Sequence, residues 1–147
     1  MKNEYWIVMP FEKVPTATSQ QKGEMVRNGR VVHFKKKNVR EAEEILEYRL
    51  RNWKKLNELE TISGPVRMKI NWEFPTKDKK KIYTPKVTRP DLDNMAKLLI
   101  DCIVRTGILQ DDSIIFELML EKSWTREGDG VIEVYIQEVT DEDAYLF

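Results

Sequence analysis

Apolar and polar side chains alternate without a break in Val66-Arg67-Met68-Lys69-Ile70-Asn71-Trp72-Glu73-Phe74. Because successive side chains of a strand point to opposite faces, this period of two predicts a β-strand with one buried face. The strand lies within a chain of 147 residues. That length is typical of a single domain with a sizeable core. The remaining elements are predicted outward from this strand.

Three patterns predict elements upstream of it. Residues 5–9 form a short apolar run that is typical of a strand. Asn28-Gly29 indicates a β-hairpin, because both residues of such a turn must adopt positive φ. Apolar residues then recur at helical spacing over about residues 39–58, and Asn38 with Glu41 resembles a capping pair at the start of that helix.

The downstream half predicts a loop, a helix and two strands. Residues 76–90 are polar and basic, and a second helix begins at Asp91 and ends near Gly107. Its apolar stripe consists of Met95, Leu98, Leu99, Cys102 and Ile103. Strands are predicted at residues 113–120 and 131–139. The order of elements predicts one α+β domain over residues 1–147, with a mixed β-sheet and two main helices.

The composition excludes several kinds of site. Cys102 is the only cysteine and His33 the only histidine. An internal disulfide, a zinc site with two thiolates and a two-histidine metal motif are therefore excluded, and a serine–histidine triad would have to use His33. No window approaches the roughly 18 uninterrupted apolar residues of a membrane span, and residues 1–10 lack a secretory pattern. We expect a cytoplasmic protein with no membrane contact.

The formal net charge of zero conceals an asymmetry. Residues 1–90 carry 21 basic and 11 acidic side chains, a balance of +10, whereas residues 91–147 carry 4 and 14, a balance of −10. Such a division indicates polyanion binding, or an acidic site or tail. We therefore expect function near the boundary at Asp91.

The boundary contains the stretch Arg89-Pro90-Asp91-Leu92-Asp93-Asn94-Met95-Ala96-Lys97. Helix capping is the simplest explanation of its acids: Asp91 occupies an N-cap position, and the helix dipole favours Asp93 in the first turn by roughly 0.3–1 kcal/mol. Asp93, Lys97 and Asp101 are spaced four apart, which places them in one polar stripe that ion pairing alone could explain.

Asp111-Asp112 supplies two further carboxylates after a short connection. Two carboxylates about 4 Å apart repel by roughly 4 kcal/mol at an effective dielectric constant of about 20, so a cluster of these acids needs a cation or shifted pKa values. Oxygen ligands without histidine or thiolate favour Mg²⁺ or Mn²⁺, which serve phosphate chemistry. The sequence from Asp91 does not match an EF-hand calcium loop, because its fifth, sixth and twelfth positions lack the required residue types. Those places hold Met95, Ala96 and Cys102.

These residues resemble the RusA family of bacterial and phage Holliday-junction resolvases. The family motif is a Pro-Asp-x-Asp-Asn run, a lysine four residues beyond the second aspartate, and a later aspartate pair. This chain matches it with Pro90-Asp91-Leu92-Asp93-Asn94, Lys97 and Asp111-Asp112. The resemblance covers nearly the whole chain in the order of its elements, and it is most specific over residues 91–113.

The resemblance implies a RusA-like fold and a Mg²⁺-dependent endonuclease, with Mn²⁺ as a substitute. The enzyme would act as a homodimer that makes paired nicks in four-way junction DNA, in DNA recombination and repair. Asp91, Asp93 and Asp112 would be catalytic metal ligands, Asp111 an accessory ligand, and Lys97 the catalytic lysine that stabilises charge on the phosphate or leaving group. A two-fold dimer suits a junction of two-fold symmetry.

Two departures from the family pattern leave these chemical groups intact. Ile114 stands where many relatives carry Gln, and residues 105–108 differ from the commonest form. They bear on junction preference and cleavage sequence rather than on the catalytic assignment.

The loop before Asp91 is a candidate DNA contact, since basic side chains beside a metal site would bring phosphates to the carboxylates. A solubilising loop is the alternative. Its basic residues are Lys77, Lys79, Lys80, Lys81, Lys86 and Arg89.

The acidic and then apolar tail at residues 141–147 is expected to be frayed, and it is a weaker candidate for contact with a partner protein. Most of the four tryptophans are expected in the core.

Two other functions stay open at the level of sequence. One is a catalytically silent protein of the same fold that binds DNA junctions. The other is a metal-binding regulatory or scaffold domain without a nucleic-acid partner. The intact acidic set argues against the first, and the basic loop argues against the second.

Overall fold

The computed structural model describes residues 3–18 and 22–140, and it describes residues 22, 23 and 32–35 by their backbone only. The acidic tail at residues 141–147 lies outside the described residues. The elements in chain order are β1 (Glu4–Pro10), β2 (Lys22–Arg27), β3 (Arg30–Lys35), α1 (Lys37–Leu56), β4 (Val66–Thr76), α2 (Leu92–Arg105), a 3₁₀ turn (Asp112–Ile114), β5 (Ile115–Arg126) and β6 (Val131–Glu138). This order agrees with the predicted one.

A four-stranded sheet with the spatial order β1-β6-β4-β5 forms the centre of the fold. β4 pairs in parallel with β5 and antiparallel with β6, and β6 pairs antiparallel with β1. The sheet is therefore mixed, and the predicted α+β architecture with two helices is confirmed.

The side chains of β4 alternate between buried and half-buried positions, as predicted. Its buried residues are Val66, Met68, Ile70, Trp72 and Phe74. The helices add their apolar stripes to the same core, with Val39, Ala42, Leu46 and Leu50 from α1 and Met95, Leu98, Leu99, Cys102 and Ile103 from α2. Burying a large apolar side chain contributes about 1.5–3 kcal/mol, so these stripes determine which face of each helix turns outward.

The start of α1 differs from the prediction. Its N-cap residue is Lys36, whose carbonyl accepts a hydrogen bond from the N–H of Val39 at 3.1 Å. The predicted capping pair of Asn38 and Glu41 is therefore wrong, because both residues lie inside the helix. Glu41 instead pairs with Lys37 at 3.7 Å across one helical turn.

The predicted strand at residues 113–120 is also corrected. Asp112–Ile114 forms a 3₁₀ turn, so Asp112 does not open a strand, and β5 runs on to Arg126. The parallel pairing with β4 continues to the pair of Thr76 and Arg126. The length of β5 therefore follows its partner strand, which the residues of β5 alone do not reveal.

The predicted hairpin is confirmed. Asn28 and Gly29 have φ values of 53° and 75°, which the tight turn requires. β2 and β3 form a separate two-stranded sheet, and residues 24–31 are exposed.

Three of the four tryptophans belong to the core or pack against it, as predicted for most of them. Trp72 is buried and Trp53 and Trp124 are half-buried, but Trp6 is 59% exposed on the edge strand β1. The ring of Trp6 lies 4.9 Å from that of Tyr135.

Neither described helix combines the length and the apolarity that crossing a bilayer would require.

Candidate active site

Asp91 and Asp93 lie where the chain enters α2. The carbonyl of Asp91 accepts a hydrogen bond from the N–H of Met95 at 3.1 Å, which makes Asp91 the N-cap residue. Its carboxylate makes no capping hydrogen bond within the described chain, and both aspartates are exposed. Side-chain capping therefore does not account for Asp91, and its carboxylate is accessible to a ligand.

The buried stripe of α2 turns Lys97 and Asp101 outward. The Nζ of Lys97 lies 3.7 Å from Oδ2 of Asp101, one helical turn further on. An ion pair this exposed contributes about 1 kcal/mol or less. It therefore positions the ammonium group more than it stabilises the helix.

A cavity of about 280 Å³ brings α2 together with the start of β5. Its lining consists of Lys97, Ile100, Asp101, Asp112, Ile115, Phe116, Glu117 and Leu118. Lys97 and Asp112 therefore share one cavity, although 15 positions separate them in the numbered sequence. The carboxylate of Glu117 pairs with Arg67 at 3.0 Å, so β4 offsets part of the negative charge.

Asp111 is held in the turn that precedes β5. The hydroxyl of Ser113 donates to Oδ2 of Asp111 at 2.6 Å. This hydrogen bond, with a further one from the backbone of Asp112, holds the pKa of Asp111 below its ordinary value. Asp111 is therefore a carboxylate throughout the neutral range.

The structure brings only part of the predicted acidic set together. Asp91, Asp93 and Asp111 do not line the cavity that contains Asp112. Among the side chains that the structure describes, no three acidic, histidine or cysteine residues converge as a preformed metal site would require. Mg²⁺ does not depend on such a cage, because one or two carboxylates usually hold it together with water and substrate phosphates. The exposed, oxygen-only donor set therefore fits a divalent ion of this class.

Two lysines hold the backbone that leads into Asp91. The Nζ of Lys86 donates to Oγ1 of Thr88 at 2.5 Å and to the carbonyl of Arg89 at 2.7 Å. The Nζ of Lys122, on β5, donates to the carbonyls of Thr88 and Pro90 at 2.6 and 2.7 Å. The two bonds from Lys122 tie residues 88–90 to the sheet, and the two from Lys86 hold the loop itself, so together they fix the position from which α2 begins.

Lys86 is a correction to the predicted DNA-binding set. Its side chain is only 7% exposed and lies over the rings of Phe74 and Trp124, with Nζ 5.1 and 4.4 Å from the ring centroids. Burial, with repulsion from Lys122 and Lys81, lowers the pKa of Lys86. An ammonium group enclosed in this way stabilises the loop and is not available to contact a DNA phosphate.

The other predicted DNA contacts lie at the surface of the loop. They are Lys77, Lys79, Lys80, Lys81 and Arg89. Asp78, the acid among them, orders the loop: its Oδ1 accepts the N–H of Lys80 at 3.0 Å, and its own N–H donates to Oγ1 of Thr76 at 3.2 Å. Ordered turns therefore present these cations.

Sequence reasoning misses several residues at this site. Phe116 and Glu117 enter the cavity wall through the pairing of β5, and Lys122 anchors Thr88 across 34 positions of sequence. No local pattern marks them. Asp101 is visible in the sequence through its four-residue spacing from Lys97.

Comparison with known proteins confirms the resemblance that the acidic motif indicates. The family described as Endodeoxyribonuclease RusA matches residues 12–137. A protein of Lactococcus phage r1t, named crossover junction endodeoxyribonuclease rusA, is 30% identical over 129 residues, which cover 88% of this chain and 94% of that protein. The chain therefore belongs to the RusA family of endodeoxyribonucleases, hydrolases that act on DNA.

Proposed function

We propose that this endodeoxyribonuclease resolves four-way (Holliday) DNA junctions by paired nicks, using Mg²⁺ or, as a substitute, Mn²⁺. The supporting observation is that Lys97 lines the same cavity as Asp112. Lys97 is on α2, the helix whose entry bears Asp91 and Asp93. The name of the relative from Lactococcus phage r1t, a crossover junction endodeoxyribonuclease, supports a four-way junction as the substrate.

In this proposal Asp91, Asp93 and Asp112 supply the carboxylates for the divalent ion, one or two at a time beside water and substrate phosphates, and Asp111 is an accessory ligand. When bound, the ion would orient and acidify a water nucleophile and stabilise charge on the phosphodiester. The carboxylates come from the start of α2 and from the 3₁₀ turn, so the proposed site depends on how those two elements pack. Three exposed carboxylates would repel a DNA phosphate, which is why a cation is required.

Lys97 is proposed to stabilise the charge that develops on the phosphate or leaving group. Its side chain is 63% exposed, and its ammonium group is held near the cavity by Asp101 at 3.7 Å. Because an exposed ion pair is weak, an incoming phosphate can displace Asp101 at little cost. Asp101 would then act as a placeholder that keeps Lys97 oriented until DNA binds.

Paired nicking requires two sites on opposing strands. We propose a homodimer, because two-fold symmetry would place equivalent sites on equivalent strands of the junction.

The exposed lysines of the 76–90 loop would attract DNA phosphates and bring them close to Asp91. The proposed setting is recombination and repair of DNA in the cytoplasm of a bacterium, including DNA of a phage or prophage.

The test compares a labelled four-way junction with a linear duplex of matched sequence, each with Mg²⁺ or with a chelator. We expect symmetric nicks in the junction only when Mg²⁺ is present, and an intact duplex. Junction binding without nicking in Mg²⁺ and in Mn²⁺ would contradict the proposal in favour of a silent junction-binding protein. Light scattering of the junction complex tests the dimer, which one protein copy per junction would contradict.

A further inference from the structure

A second cavity, of about 620 Å³, lies at the far end of the basic loop. Its lining consists of Thr76, Lys77, Lys79, Ile82, Tyr83, Arg126 and Glu127. Lys97 and Asp112 do not line it, so it is separate from the proposed catalytic cavity. Its wall combines an aromatic ring with three cations and one acid, a composition that favours an anionic ligand with a flat apolar part.

Tyr83 presents its ring at this cavity from a constrained backbone. Its φ is +66°, and its side chain is 69% exposed. Bulky residues rarely adopt this left-handed conformation, and they keep it only where surrounding bonds hold them in place. Here the N–H of Tyr83 donates to the carbonyl of Trp124 at 2.8 Å, and the N–H of Trp124 donates to the carbonyl of Thr84 at 3.0 Å. β5 thus fixes the backbone of Tyr83, whose exposed ring is not part of the hydrophobic core.

Three cations share the cavity with that ring. The guanidinium carbon of Arg126 lies over the Tyr83 ring, 5.7 Å from its centre, so a stacking base would use the opposite face. Lys77 and Lys79 line the same cavity, whereas Glu127 is the acid on its wall. Phosphate groups are the anions that such a set of basic side chains attracts in DNA.

An aromatic ring flanked by cations is the arrangement that binds single-stranded nucleic acid, since the base stacks on the ring and the cations contact the phosphates. A base inside an intact duplex is already stacked on both faces and cannot use the ring. We propose that Tyr83, with Arg126, Lys77 and Lys79, forms a binding site for an unstacked nucleotide of DNA. The inference rests on the proposed function for its biological substrate, because the crossover of a four-way junction is where base pairs open.

The test uses two variants of Tyr83 that differ in the ring. Tyr83→Phe keeps the ring, whereas Tyr83→Asn removes it but tolerates the left-handed backbone, which asparagine adopts more readily than other non-glycine residues. Affinity is measured for a thymidine oligonucleotide and for a matched duplex, in chelator. Stacking of one base on an aromatic side chain accounts for a factor of roughly 5 or more in affinity. We expect that loss for the oligonucleotide in Tyr83→Asn alone, with duplex affinity unchanged in both variants.

A second measurement locates the contact directly. One thymidine of the oligonucleotide is replaced by 5-iododeoxyuridine, the wild-type complex is irradiated, and the cross-linked peptide is identified by mass spectrometry. We expect the cross-link at Tyr83. Equal oligonucleotide affinities of the two variants, or a cross-link confined to other residues, would overturn the inference. Failure of the proposed function would instead appear as a wild-type protein that does not nick junctions in Mg²⁺, whatever these variants do.

Discussion

Lysines of equal formal charge differ here in what their ammonium groups can reach. Lys86 is enclosed by aromatic rings and bonded to Thr88 and Arg89, whereas Lys79 extends from the surface of the same loop. Only an exposed ammonium group can replace counterions on DNA, which is the source of salt-dependent affinity. Both lysines add one positive charge to the composition. Their different roles can be recognised only from their surroundings in the folded protein.

Replacing Lys86 by methionine should therefore destabilise the protein without changing its electrostatic binding to DNA. The substitution removes the partner of Thr88 Oγ1 and of the Arg89 carbonyl, and unpaired groups of this kind cost about 1–3 kcal/mol. We expect a lower midpoint of thermal unfolding, slower nicking and an unchanged slope of log Kd against log salt. Lys79→Ala is the matched control. It should leave unfolding unchanged and reduce the slope by about 1 for one phosphate contact. A reduced slope in Lys86→Met would contradict the structural role.

Asp93→Asn should separate binding from catalysis. The change removes one proposed metal ligand and one negative charge beside the phosphate, and Asp93 is exposed, so the fold should tolerate it. We expect junction nicking in Mg²⁺ to fall below detection, while junction affinity in chelator stays equal or increases. Gel-shift and nicking assays on one preparation measure both. Nicking at the wild-type rate would remove Asp93 from the site.

The chain segments that follow β1 and precede β6 lie close together. The N–H of Phe11 donates to the carbonyl of Gly130 at 2.8 Å. A Cβ atom at Gly130 would lie 2.7 Å from the carbonyl oxygen of Phe11 and 3.2 Å from Cδ of Pro75. Glycine is required there because the nearest atom is a backbone oxygen, which cannot move away without disturbing the chain where Phe11 bonds to Gly130.

Gly130→Ala should therefore lower stability by about 1–3 kcal/mol, the usual cost of forcing an extra methyl group into a packed site. Gly128→Asn is the control: Gly128 has a φ of +84° with open space around it, and asparagine tolerates positive φ. We expect chemical denaturation to show a lower midpoint for Gly130→Ala and a change of less than about 1 kcal/mol for Gly128→Asn. Equal midpoints for wild type and Gly130→Ala would show that the chain at Phe11 can shift to admit a methyl group without cost, and would contradict the requirement for glycine.

The polar face of the sheet makes a pH-dependent contribution through Glu73 on β4. Burial, followed by repulsion from Glu133 and Asp129, raises the pKa of Glu73 above its ordinary value. The folded protein therefore binds this proton more tightly than the unfolded chain, and stability falls as pH rises through that raised pKa. Glu73→Gln should be more stable than wild type at pH 7, and the difference should vanish below about pH 4. Thermal melts at the two pH values measure it, and a difference that grows at low pH would contradict this sign.

The net charge of zero does not describe the surface that DNA would meet, because basic and acidic side chains are grouped in different parts of the molecule. Exposed lysines of the 76–90 loop precede the acidic entry of α2, and Lys97 lies among carboxylates in the cavity of about 280 Å³. A DNA strand at this surface meets both signs within a few residues. A bound divalent ion would offset part of the acidity and leave the loop cations dominant.

Junction affinity should therefore rise when a divalent ion that does not support cleavage, such as Ca²⁺, replaces monovalent salt at constant ionic strength. The reason is that a carboxylate facing a phosphate loses its repulsion once a cation lies between them. The gain should be smaller in Asp93→Asn, which already lacks one of the charges. Fluorescence anisotropy of a labelled junction measures both proteins, and an equal gain would place the ion away from Asp93.

Much of the fold could be predicted because burial leaves a local period in the sequence. The alternation over residues 66–74 and the stripe of α2 each correspond to one buried face, and the motif spacing indicates Asp91, Asp93, Lys97 and the aspartate pair. These signals need only neighbouring residues. They fail at the 3₁₀ turn and at the start of α1, where the bounds of the element do not coincide with the pattern of apolar or capping residues.

Local patterns of residues suffice to predict the order of the elements, their inward faces and the acidic motif. The parallel pairing of β5 with β4, the cavity shared by Asp112 and Lys97, and the burial of Lys86 emerge only from the folded chain. Each of these depends on contacts between residues far apart in the chain, such as Lys122 with Thr88. The physical reason is that periodicity records whether a side chain is buried, whereas only packing determines what it is buried against.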